Sequence, residues 1–166
     1  MTAIQLLQAI GPELQKEIIA YLQNEQRPAY RAVIQNLAAA RKLRPVYVQS
    51  KSKAEQASWL LDQMRLRTNE DVTAQILQIW LLKGQSKMLV TFLDAAGIAH
   101  NGQGEVEELP EDIAEDKAQA AINALLAEYP EKHFALYLHM FQMQKPGGFS
   151  GVAAALEKHP GLKLEA

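Results

Sequence analysis

The chain is 166 residues long, 48% hydrophobic and 22% charged, with a net charge of −2 and no cysteine. That length and balance suit one globular domain with its own core, and exclude a disordered or fibrous chain. The lack of cysteine removes disulfides, thiol nucleophiles and thiolate zinc sites together.

The opening stretch MTAIQLLQAIGPELQKE has neither the cationic start nor the long apolar run of a signal peptide, and reads as a first helix. Uncharged runs such as residues 72–82 and 133–144 fall short of the ~20 apolar residues a membrane span needs. A cytoplasmic location with no membrane partner is therefore expected.

Apolar residues recur at three and four along most of the chain, between proline and glycine punctuation. Thr2 caps the first predicted helix, which ends at Gly11, a residue suited to the left-handed conformation; Pro12 opens the next. That second helix carries Leu14, Ile18, Ile19 and Leu22 on one face, and Pro28 starts a third with Tyr30, Val33, Ile34 and Leu37 inward. In LRPVYVQSK, Pro45, Val46 and Val48 favour an extended segment, the only strand-like stretch.

Ser52 and Glu55 then fit a capping box for a helix bearing Trp59, Leu60 and Met64. A fifth helix, with Glu70 and Asp71 in its first turn, runs to Lys83 and stops at Gly84. Ser86 is the expected cap of the sixth, which ends at Gly97 with Ile98 packing back. Residues 98–111 are non-periodic, acidic and glycine-rich, a surface loop of a length that goes with function or disorder.

The seventh helix spans about residues 112–128. After Tyr129-Pro130 the eighth, HFALYLHMFQMQ, is apolar nearly all round and belongs in the middle of the packing. Ser150 is the expected cap of a short ninth, and residues 160–166 are expected to fray. These elements make an all-α single domain over residues 1–166, of about nine helices in antiparallel hairpins, forming an irregular bundle or a short solenoid.

Charge is divided along the chain. Between Arg27 and Arg67 there are nine Lys and Arg against Glu55 and Asp62; between Asp94 and Glu131 there are ten Asp and Glu against Lys117. The basic stretch is densest at Arg41, Lys42 and Arg44, continuing to Lys51 and Lys53, and could hold a nucleic acid or another polyanion with Tyr30, Tyr47 or Trp59 stacking on bases. A helix C-terminus also favours such cations, the acidic stretch could dock on the basic one, and a pI near 6.1 is low for a dedicated nucleic-acid binder.

Motifs for chemistry are missing. His133 and His139 are six apart, so they do not share a helix face as a zinc-binding pair would, and His139 reads as a core or boundary residue. His100 and Asn101 open HNGQGE, whose glycines permit close backbone approach, but no third glycine or phosphate-binding lysine follows. Ser150 in GFSGV lacks a nucleophile elbow, and Phe134, Tyr137, Met140, Phe141 and Met143 at helical spacing read as core. No cofactor or metal is expected.

At LRPVYV, the tryptophan helix, and FLDAAGIAHNGQGEVEELPE, the sequence resembles a family of small uncharacterised bacterial helical proteins. The resemblance implies an all-helical fold and brings no activity or site residue with it. The reading that results is a non-catalytic helical module that binds another protein, with polyanion binding through residues 41–53 as the alternative. Candidate binding residues are Arg41, Lys42, Arg44, Lys51, Lys53, His100 and Asn101.

Overall fold

Helical periodicity carries through to the tertiary structure. The computed structural model describes residues 1–165, among which there are ten α-helices and no strand. They are α1 (Ala3–Ala9), α2 (Gly11–Glu25), α3 (Arg27–Ala40), α4 (Pro45–Gln49), α5 (Lys53–Met64), α6 (Glu70–Ile79), α7 (Ser86–Ala96), α8 (Glu115–Glu128), α9 (Glu131–Met143) and α10 (Ser150–Glu157). By its internal contacts the chain divides into two compact units, Thr2–Trp80 and the described residues from Leu81 onward together with Met1.

In the first unit, Thr2 caps α1 as its sequence predicts, with its hydroxyl accepting the Gln5 amide and the Gln5 side chain accepting the Thr2 amide. The next two free amides of that helix are met from far along the chain: Ala3 and Ile4 donate to the Glu70 carboxylate at 2.5 and 3.2 Å. Glu70 thus joins α6 to α1, whose apolar faces pack together. At the other end of α1, the buried Gln15 amide donates to the Leu7 carbonyl at 2.6 Å. Thr73 and Asn69 do the same for the Met64 and Gln63 carbonyls at the end of α5. Buried polar side chains here complete helix ends that would otherwise be desolvated and unpaired.

The expectation of an extended stretch at residues 43–53 is corrected: Pro45–Gln49 is a short helix. Arg44 is extended, with ψ of 135°, as a residue before proline must be, and Pro45 then presets the first helical turn. Helical winding buries Val48 completely, and that burial outweighs the modest β preference of Val46 and Val48. Ser52 caps α5 by accepting the Glu55 amide at 3.2 Å, as expected.

The fifth predicted helix ends as α only at Ile79 and continues through a π-helical turn over Trp80–Gly84. In the second unit, α9 buries Phe134, Ala135, Leu136, Tyr137, Leu138 and Phe141. Phe92 of α7 sits among Phe134, Tyr137 and Phe141 at centroid distances of 5.4–5.8 Å, and Phe149 stacks on Phe141 at 5.0 Å. Each such pair adds roughly 0.5–1.5 kcal/mol beyond the area it buries.

α7 ends as read from sequence: Gly97 is left-handed, with φ of 72°, and the Ile98 amide reaches back to the Leu93 carbonyl at 2.9 Å, burying Ile98. Two expected caps are corrected. Ser86 and Ser150 are the first residues of their helices rather than caps. α10 is capped instead by Asp112, whose carboxylate accepts from the Ser150 hydroxyl and, at 3.3 Å, from the Gly151 amide.

The tail expected to fray is held as far as Leu164. Pro160–Leu162 forms a 3-10 turn against α9, with Leu162 fully buried. His139 anchors it, with Nε2 at 3.1 Å from the Leu162 carbonyl and 3.3 Å from the Leu164 amide; burial holds this imidazole below the usual histidine range. Ala166 lies outside the described residues.

Candidate functional site

The basic stretch becomes a defined corner between α3 and α4. α3 closes with Arg41, and Lys42 follows at φ of 56°, the one non-glycine residue with positive φ among those described. The Leu43 amide bonds back to the Ala38 carbonyl at 2.8 Å and the Lys42 amide to that of Ala39 at 3.0 Å, the pairing of a Schellman turn. Glycine is the residue suited to this position, and a side chain there costs about 1 kcal/mol. A lysine is present where the backbone alone would select glycine.

Arg41, Lys42 and Arg44 are exposed, and among the described residues their side chains make no hydrogen bond or ion pair. Beside them α4 presents Val46 and Tyr47, 62% and 53% exposed, the two most open large apolar side chains among the described residues. The Lys51 ammonium lies 4.8 Å from the Tyr47 ring centroid and covers one of its faces. Lys53 is exposed, but its ammonium is engaged by the Asn24 side chain. Three free cations, Arg41, Lys42 and Arg44, therefore flank an apolar knob.

The turn behind the knob is held by residues that sequence reasoning did not single out as a group. The Gln56 amide donates to the carbonyls of Gln49 at 3.1 Å and Lys51 at 2.9 Å, while its oxygen accepts the Tyr30 hydroxyl at 2.7 Å. The Gln23 amide donates to the Lys53 carbonyl at 3.0 Å. Tyr30 is half-buried, and desolvation raises its phenol above the usual range. It is thereby withdrawn from the stacking role considered for it, and Trp59 is also half-buried, leaving Tyr47 as the open aromatic. A polar, helix-period pair such as Gln23 and Gln56 carries no sequence signal that distinguishes it from a solvated face.

The other predicted residues, His100 and Asn101, belong to the second unit and are committed to building a loop. His100 Nδ1 accepts the Gly102 amide at 2.9 Å, so the proton sits on Nε2 and is donated to Asp94 Oδ1 at 2.6 Å. Asn101 Oδ1 accepts the amides of Gln103 and Glu105, and its nitrogen donates to the Glu105 carboxylate. Gly104, with φ of 97°, lies so close to α7 that a Cβ would stand 2.8 Å from Leu89 Cβ. With both ring nitrogens occupied, His100 has no site left to take a proton from a substrate.

Below that loop, a cleft of about 600 Å³ runs between the end of α7 and the approach to α8. Ala96, Ile98, Leu109, Pro110 and Ile113 line it, with Glu108 at its edge. Among the described residues no three His, Asp or Glu side chains converge as metal ligands would. No described helix is long and apolar enough to cross a membrane. In comparisons with protein-family models, with curated proteins and with solved structures, nothing matches this chain.

Proposed function

We propose that this chain is a non-catalytic interaction module that docks an acidic protein partner on the α3–α4 corner. The observation that carries the reading is Lys42: a strained left-handed lysine between two other exposed, unpaired cations, next to open Val46 and Tyr47. Strained non-glycine backbone gathers at functional sites because something other than stability retains it. The apolar pair supplies contact area and the cations supply steering and register.

A polypeptide suits the corner better than a nucleic acid. One face of Tyr47 is already covered by Lys51, and the unit holding the corner has ten Lys and Arg against seven Asp and Glu, a modest excess. Base stacking and counterion release favour open rings and a strongly basic surface.

The test is retention of the full chain on immobilised polyglutamate and on single-stranded DNA at low salt. Polyglutamate should retain it and release it as salt rises, and Lys42→Glu with Arg44→Glu should abolish retention. Absence of retention on polyglutamate overturns the proposal. Tighter, corner-dependent retention on DNA overturns it in favour of nucleic acid.

A further inference from the structure

The chain itself carries a surface of the chemistry the corner calls for. Glu107, Glu108 and Glu111 are exposed and, among the described residues, make no hydrogen bond or ion pair. They differ from their acidic neighbours: Asp94 is held by His100, Glu105 by Asn101, Asp112 by Ser150 and Gly151, and Glu115 by Lys158 at 2.6 Å. Three free carboxylates within five residues thus answer three free cations within four. Glu108 lines the cleft together with the part-exposed Leu109 and Pro110 and the charged Asp112 and Lys117, and the cations border Val46 with Tyr47.

We infer that the acidic partner of the α3–α4 corner is a second copy of this chain, whose Glu107–Glu108–Glu111 rim receives the cations while its cleft receives Val46 and Tyr47. The inference rests on the reading of the corner given above. Knob and socket are different surfaces, so one contact leaves a second corner and a second cleft, which meet each other where the rotation closes a pair and add further copies where it does not. Exposed charges at a rim make such association strongly salt-dependent, since at about 0.1 M salt their attraction is screened beyond roughly 10 Å.

The experiment is sedimentation of three versions of the full chain: the wild type, a corner variant (Arg41→Glu, Lys42→Glu, Arg44→Glu) and a rim variant (Glu107→Lys, Glu108→Lys, Glu111→Lys). All six positions are exposed, and thermal melts establish that each variant is folded. At about 50 mM salt the wild type should show an average mass that climbs with concentration above the 18.5 kDa of one chain, with association about tenfold weaker or more at about 500 mM. Each variant alone should stay at one chain. An equimolar mixture should associate again, because the intact corner of one variant meets the intact rim of the other and the two reversed surfaces also carry opposite charges.

A wild type that remains a single chain at every concentration overturns the inference, as does a variant that assembles like the wild type. Polyglutamate retention separates the two claims. If the single chain still holds polyglutamate through its corner, the reading of the corner stands and the socket belongs to another ligand. If it does not, both fall.

Discussion

The α3–α4 corner and the loop over residues 98–112 are the two places where the helical pattern relaxes, and they resolve it in opposite ways. In the loop, positive φ falls on Gly102 and Gly104, and the polar side chains of His100, Asn101 and Asp112 are bonded to the backbone they organise. At the corner, positive φ falls on a lysine, and the side chains of Arg41, Lys42 and Arg44 have no partner among the described residues. A residue that satisfies its neighbours explains itself through stability. A residue that is strained and unsatisfied calls for a partner.

The contrast can be broken most forcefully at Gly151, where the segment following the loop crosses α10. A Cβ there would fall on the Ile113 carbonyl, so Gly151→Ala should cost about 3 kcal/mol or more, read as a lowered urea midpoint. Gly104→Ala should cost about 2 kcal/mol, from positive φ and the approach to Leu89 together. Asn101→Ala, which strips acceptors from two amides, should cost about 1–2 kcal/mol and leave polyglutamate retention unchanged. Lower retention with unchanged stability would show that the loop is more than architecture.

At the corner the sign should reverse. Lys42→Gly relieves the left-handed strain and should raise stability by about 0.5–1 kcal/mol while weakening retention on polyglutamate. A variant that is both less stable and equally retained would remove the distinction between the two regions.

The smallest effect concerns pH. The Ser150 hydroxyl, with the Ile113 and Gly151 amides, holds the Asp112 carboxyl below its ordinary value. A depressed carboxylate contributes stability above its unfolded pKa and loses that contribution as pH falls through the folded value. The stability gap between the wild type and Asp112→Asn should therefore be widest near neutrality and narrow in acid, as followed by urea melts at several pH values.

Features governed by neighbours in the chain are legible in the sequence. Thr2 and Ser52 cap their helices, Gly97 closes α7, and Phe134, Tyr137 and Phe141 lie in the core, because each depends on residues within a turn or two or on apolar periodicity; Met143, expected in the core with them, is 44% exposed at the end of α9. Local sequence misleads where a distant group decides. Pro45–Gln49 looks extended by local preference, yet Val48 is drawn into the core. Ser150 looks like a cap, yet Asp112 performs that role. Within the candidate site, the concentration of cations was visible in sequence, whereas the engagement of Lys53 by Asn24 and of Tyr30 by Gln56 was not.

The sequence by itself determined that this protein is all-helical and where its pattern relaxes, because spacing, caps and turn residues act over a few positions. Only the tertiary structure decided which polar groups are spent and which remain open. Bonds such as Ala3 to Glu70, 67 residues apart, and Ser150 to Asp112, 38 apart, are set by how helices pack rather than by their order. Arg41, Lys42 and Arg44 stand out as a candidate site because nearby polar residues such as Lys53 and Tyr30 have partners within the fold.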